Sequence, residues 1–509
     1  MKNPMRRLVL ATACLTALGA AVAPLPASAQ TLNIGLRQDP DLLDPTLGSS
    51  YVGRIVYSAM CDKLFDLDAK LNIVPQLATS YSYDDPTHLL IHLRSGVLFQ
   101  DGTKMDADAV KTSLLRHMTA KGSMRAGEVS VISSVEVVDP LTVRLVLKTP
   151  SSPLLAQFTD RAGIIMSPKA LAEEGDAKFG LHPVCAGPYS FVERAVQDHI
   201  TLKRFPDYWN AKDYNFDQIV YRSLPNSSVR LANLQAGSLD LVEQIVPTDI
   251  DAVRKDPRLK LAIDDSLAYT GITFNTGNGP RANTDIGKNA LVRQAFELAI
   301  DKTALMQVVY NGLFTPTAQA NPPDSPMYIQ SIVSPPRDVE KAKALLKQAG
   351  VKLPVEVELT TTNEPDQQQL GEVIQSMAAE AGFHVTPKPM EFAASLQNGY
   401  AGDFQAYLIA WSGRSDADGN MWAFLHTGGT FNYGHYSNAN MDTLLDQARG
   451  PVDVAARRVL YTQVWAQERQ DMPLIYLYNP KNVVGMKKNL MGFQQVPDGL
   501  IRLGGVAFQ

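Results

Sequence analysis

The chain has 509 residues, 45% hydrophobic and 19% charged, the profile of a globular protein rather than a disordered or fibrous one. At about 100–200 residues per domain it holds more than one domain. A formal net charge of −5 argues against nucleic acid and against an anionic membrane surface as partners.

The N-terminus is basic at Lys2, Arg6 and Arg7, then apolar through "LVLATACLTALGAAVAPLP", and ends in "ASAQ". This pattern predicts a secretory signal peptide over residues 1–29, cut after Ala29, and hence an exported, periplasmic protein. Cleavage removes three positive residues and no acid, taking the formal charge from −5 to −8. Cys14 leaves with the signal. Cys61 and Cys185 remain, and either one disulfide or two buried thiols accounts for them. No later segment has about 18 consecutive apolar residues, so no membrane span is expected.

"TLNIGLR" at 31–37 alternates and predicts a strand. "LLIHL" repeats the alternation at Leu89, Ile91 and Leu93, and "SVEVVDPLTVRLVLK" predicts a hairpin turning at Asp139-Pro140. Asp106, Asp301 and Asp338 stand where helix N-caps belong, before "ADAVKTSLLRHM", "KTALMQVVY" and "VEKAKALLKQAG". Gly350 stops the last of these, the strand "PVEVEL" follows, then the helix "LGEVIQSMAAEAG" and the strand "FHVTPKPM". That β-α-β rhythm implies a partly parallel sheet covered by helices. The fold class is α/β with more than one lobe, and the binding crevice is expected between lobes or at the carboxyl ends of strands.

Motifs for catalysis are missing. His88 and His92 have zinc-helix spacing, but the segment alternates like a strand and no Glu follows His88. "DADGN" at 416–420 fails as a calcium loop, because the sixth position is Met421 and the twelfth is Thr427. No nucleophile elbow, phosphate loop or dinucleotide fingerprint is present. The expectation is a protein without catalytic residues, metal or cofactor, with a secreted hydrolase as the alternative of a different class.

Six segments in order carry a family resemblance: 75–114 ("PQLATSYSYDDPTHLLIHLRSGVLFQDGTKMDADAVKTSL"), 186–209, 229–243 ("VRLANLQAGSLDLVE"), 269–276 ("YTGITFNT"), 292–313 and 338–350. Together they resemble the periplasmic solute-binding proteins of peptide-type ABC importers, whose relatives bind dipeptides, oligopeptides, nickel complexes or opines. The resemblance implies a two-lobed trap with a hinge. Lobe 1 would span 30–275 with a subdomain at about 80–182, lobe 2 would span 276–485, and 486–509 would return to lobe 1. It also implies a small-molecule ligand, closure around it, a monomer, and delivery to inner-membrane permease subunits.

"WSGRSDADGN" at 411–420 falls where the family has its ligand loop. Dipeptide-binding relatives hold the ligand's amino group with an Asp after the W-[ST]-G, a position held here by Arg414. Their carboxylate-binding Arg aligns near Thr361. Both anchors are replaced, so the expectation is a peptide or peptide-like solute with a carboxylate near Arg414. The competing reading is a clamp from Arg414 to Asp416 or Asp418. Trp411, Ser412, Gly413 and Asp416 from the loop, Ser49, Ser50 and Tyr51 after the first strand, and Asn275 complete the candidate ligand-binding set with Thr361. An opine, a sugar acid or a nickel complex remains the alternative ligand, the last because His426 and His435 flank the loop.

Overall fold

Two open sheets organise residues 30–509, the part of the chain that the computed structural model describes. The expected signal peptide, 1–29, lies outside the described residues. The first sheet has seven strands, in the order Leu259–Asp265, Lys481–Lys487, Leu241–Val242, Thr31–Leu36, Gln218–Ser223, His199–Arg204 and Tyr189–Ala195. The second has six, in the order Thr315–Pro316, Leu474–Asn479, Tyr269–Phe274, Ala406–Trp411, Val355–Thr362 and Phe383–Met390.

Each sheet anchors its own apolar core. Leu32, Ile34, Ile219 and Leu241 bury one face of the first. Val355, Val357, Leu359 and Ile374 bury one face of the second. The predicted β-α-β unit is present: Val355–Thr362 pairs parallel with Phe383–Met390, and the helix Pro365–Ala379 crosses between them. The insertion in lobe 1 is a four-stranded antiparallel sheet running from Ala78 to Leu147, with the helix Ala107–Thr119 laid on it. Its hairpin pairs Val135 with Leu145 and Val137 with Val143, as the alternation requires. Asp106, Asp301 and Asp338 each accept a hydrogen bond from a backbone N–H of the helix they precede.

Sheet membership corrects the lobe boundaries. Tyr269–Phe274 pairs with Ala406–Trp411 in the second sheet, although the boundary was expected after 275. Lys481–Lys487 pairs along Leu259–Asp265 in the first sheet, although lobe 2 was expected to reach 485. The chain therefore changes lobe at 266–268 and again at Pro480. These two crossings touch, since Asn479 Nδ2 donates to the Ala268 carbonyl at 2.9 Å. Gly413 packs on the first crossing with φ 76°, and a Cβ there would lie 2.1 Å from the Leu267 carbonyl oxygen.

Cys61 and Cys185 form a disulfide, with Cα atoms 4.9 Å apart. Among the described residues no helix is long and apolar enough to cross a membrane.

His117 gives the fold a pH dependence. It is fully buried on the helix Ala107–Thr119, its Nδ1 lies 3.0 Å from Thr46 Oγ1, and its Nε2 lies 3.4 Å from the Ile164 carbonyl. Burial, together with the nearby Arg125 and Arg116 guanidiniums, pulls its pKa from 6.5 down to about 3. Between those values the unfolded chain binds a proton that the folded chain refuses, so stability rises with pH across this window. Urea titrations between pH 7 and pH 4 are expected to show this group removing up to about 1.4 kcal/mol per pH unit on acidification. His117→Gln is expected to flatten that slope.

Candidate ligand-binding cleft

Between the two lobes lies a cleft enclosing about 1460 Å³ of space, solvent at its mouth included. Three of its charged groups sit at carboxyl ends of strands, where a crevice is expected in open α/β sheets. Arg37 follows Thr31–Leu36, Glu243 follows Leu241–Val242, and Glu364 follows Val355–Thr362. Aromatic side chains form much of the remaining wall, among them Tyr51 from lobe 1 and Trp411, Phe431, Tyr433 and Tyr478 from lobe 2.

The charged end has a definite pairing pattern. Arg37 Nε lies 3.3 Å from Glu243 Oε1, and its guanidinium stands over the Tyr51 ring, 5.5 Å from the centroid. Arg230 spends its donors on backbone, reaching the carbonyls of Leu224, Pro225 and Gln244 at 2.6, 2.8 and 3.2 Å. Gln38, from lobe 1, donates across the cleft to Glu364 Oε1. Asp366 Oδ2 accepts from the Tyr310 hydroxyl at 3.2 Å.

Five of the sequence-derived candidates line this cleft: Ser49, Ser50, Tyr51, Trp411 and Ser412. Ser50 caps the helix Tyr51–Met60 through a bond from Gly53 N–H, and Ser49 is tied to Asp41. Tyr51 donates to the Gly499 carbonyl at 2.7 Å. The other five stand outside the lining. Thr361 is fully buried behind the strand, and alternation turns its neighbour Thr362 to the cleft instead. Asn275 is also fully buried and donates to the carbonyls of Asn278, Gly402 and Phe404 at 2.9–3.0 Å. Gly413 faces the lobe crossing, and Asp416 is held by both terminal nitrogens of Arg457 at 2.7 Å.

Arg414 lies beneath the wall. Its guanidinium stacks under Trp411, 4.3 Å from the ring centroid, and Nη1 donates to the Gly413 carbonyl at 2.8 Å. Its acidic partner is neither Asp416 nor Asp418 but Asp160, in lobe 1, with Nε 3.1 Å from Oδ2. Asp160 also takes Arg54 at 2.6 Å and lies 3.6 Å from Arg161, and Arg54 donates on to Ser412 Oγ at 2.9 Å. Burial alone would raise the Asp160 carboxyl, but the guanidiniums of Arg414, Arg54 and Arg161 hold it well below the usual carboxylate range. Asp418 belongs to a second bridge between lobes. Arg449 holds it at 2.7 Å while donating to Ser130 Oγ at 3.2 Å and lying 4.0 Å over the Trp422 ring centroid. His426 stacks on Trp422, and His435 is not among the lining residues. Among the described residues no group of three or more His, Cys, Asp or Glu side chains is gathered as a metal site.

The geometry is that of a two-lobed trap, and comparison with known proteins gives it a family. Residues 72–432 match the model of the bacterial extracellular solute-binding proteins, family 5. The chain belongs to this family. It is 30% identical over 471 residues, 90% of either chain, to the glutathione-binding protein GsiB of Pectobacterium atrosepticum. Among solved structures it is similar to the binding protein AgaA of A. tumefaciens R10 in complex with agropinic acid, with 28% identity, a TM-score of 0.85, and coverage of 94% of this chain and 99% of that one. The periplasmic binding protein DppA of Helicobacter pylori, in complex with the peptide STSA, gives 25% identity and a TM-score of 0.86, with 94% of this chain and 98% of that one covered. As a family 5 member the chain is a solute-binding protein of the peptide-type ABC importers, and the relatives it matches are binding proteins.

Charged residues of the site were reachable from sequence by one signal. Arg37, Glu243 and Glu364 each follow a strand that ends at the crevice, which singles them out once strand ends are fixed. Arg230 and Asp366 sit inside or at the start of helices and carry no comparable mark.

Proposed function

We propose that this protein captures a small peptide-like solute bearing a carboxylate, in the periplasm, and delivers it to the permease subunits of an inner-membrane ABC importer. The observation that carries the ligand class is Arg37. Its guanidinium lines the cleft beside the Tyr51 ring, and a fork of N–H groups in a partly desolvated wall suits a carboxylate. This moves the anionic group of the ligand from Arg414, which lies beneath the cleft wall on Asp160, to Arg37, which lines the cleft beside Glu243. The names of GsiB and DppA's bound peptide agree with a peptide-like ligand. Likeness to AgaA favours a second reading, an opine-like conjugate held at the same place.

Calorimetry with di- to tetrapeptides, glutathione, opines and sugar acids tests the proposal. A binder is stabilised by its ligand through mass action and leaves it chemically unchanged. Arg37→Gln is expected to weaken a carboxylated ligand by about 2–5 kcal/mol and to spare its C-terminal amide. Equal losses for acid and amide would remove Arg37 as the carboxylate anchor. Turnover of any of these compounds would contradict a purely binding role.

A further inference from the structure

The cleft wall holds a carboxylate that the protein leaves unanswered. Glu364 is 5% exposed and lines the cleft, and its Oε2 has no hydrogen-bond partner. Its other oxygen receives only the neutral amide of Gln38. Among the described residues neither Glu364 nor its neighbour Asp366 forms an ion pair, whereas Glu243 has Arg37. A buried carboxylate without a cation costs several kcal/mol, and structures rarely keep one without a use.

Local structure explains why this side chain points into the cleft. Glu364 is the N-cap residue of the helix Pro365–Ala379, and its side chain makes no capping bond. Ser, Thr, Asp or Asn would fold back on the helix, whereas Glu is a poor cap here and extends away from it. Pro365 at the first helical position fixes the exit angle of the chain. The helix N-terminus offsets about half an elementary charge. Glu364 and Asp366 together therefore leave this end of the cleft negative, even with the backbone dipoles counted. Arg37 and Arg230 offset this only in part: Arg37 is paired with Glu243, and the single charge of Arg230, whose guanidinium is held on backbone carbonyls, stands against both Glu364 and Asp366.

We propose that Glu364 is the ammonium subsite of the cleft: it accepts a primary ammonium group of the ligand through its free oxygen, with Asp366 adding to the local field. This rests on the peptide-like reading above and sharpens it, because the ligand then carries a cation for Glu364 as well as a carboxylate for Arg37. The anchor for the amine thus comes from the helix start after the strand Val355–Thr362, not from the Trp411 loop, where Arg414 excludes it.

The test compares each of a set of di- to tetrapeptides with its Nα-acetylated form by calorimetry, on the wild-type protein and on Glu364→Gln. In the wild type, acetylation is expected to weaken binding by about 30-fold or more. In Glu364→Gln the free peptide is expected to fall to the affinity of the acetylated one, while the unliganded melting temperature stays at or above that of the wild type. A lysine-containing acetylated peptide that keeps wild-type affinity would place a side-chain ammonium in the subsite, and one that loses it would place the terminal one there. Acetylated and free forms of peptides without lysine binding equally well to the wild type would overturn the subsite and leave the peptide reading intact, whatever the variant does. Full discrimination retained in Glu364→Gln would also overturn it. Failure of every peptide, free or acetylated, would overturn the peptide reading itself and this assignment with it.

Discussion

Asp160→Ala is expected to lower the unfolding free energy by about 3–5 kcal/mol and to open the cleft. The side chain is a single carboxylate among three buried guanidiniums, with Arg54 at 2.6 Å, Arg414 at 3.1 Å and Arg161 at 3.6 Å. All four residues are buried. Removing the anion leaves three cations repelling one another in a poorly solvated site, the costly way to break a buried ion cluster. Two of those cations belong to lobe 1 and one to lobe 2, so part of the loss falls on the contact between lobes. Chemical denaturation reads the first effect. Small-angle scattering reads the second, as a larger radius of gyration for the unliganded variant than for the wild type. The sign with pH follows from the depressed Asp160 pKa. The stabilisation is present above the unfolded value of about 4 and is lost as pH falls through the lower folded value. Closure through this cluster is therefore insensitive to pH near neutrality.

A Cys61→Ala, Cys185→Ala double variant is expected to lose about 4–5 kcal/mol of stability, because the bridge closes a chain segment of 124 residues. Cys61 ends the helix Tyr51–Met60, whose start carries Ser50 and Tyr51 at the cleft, and Cys185 pairs with Met166 where the subdomain rejoins lobe 1. Neither cysteine lines the cleft. Reducing agent is thus expected to lower the melting temperature of the wild type, leave the double variant unchanged, and barely alter ligand affinity. An unchanged melting temperature on reduction would mean that the packed core of lobe 1 already restrains the unfolded segment.

Local signals in the chain agree with the structure where one segment settles the matter. Caps at Asp106, Asp301 and Asp338, the hairpin at Asp139-Pro140 and the parallel unit around Pro365–Ala379 depend on neighbours in sequence. Lobe boundaries depend on distant pairing, so the expected boundaries at 275 and 485 leave Tyr269–Phe274 and residues 481–485 on the wrong side of the hinge. The loop at 411–420 shows the same limit more sharply. Arg414 has acids two and four residues away in the chain, yet Arg457 and Arg449 take them and Arg414 reaches 254 residues back to Asp160. Thr361 was one residue from the cleft, and in a strand one residue is the difference between facing the site and facing the core.

The most direct measurement is mass spectrometry of the small molecule released on denaturing the protein purified from periplasm. One equivalent of a solute that carries both a carboxylate and a primary amine is the expected result, matching Arg37 at one point of the cleft and Glu364 at another. Release of a metal complex, or of an equimolar solute with neither group, would contradict the account.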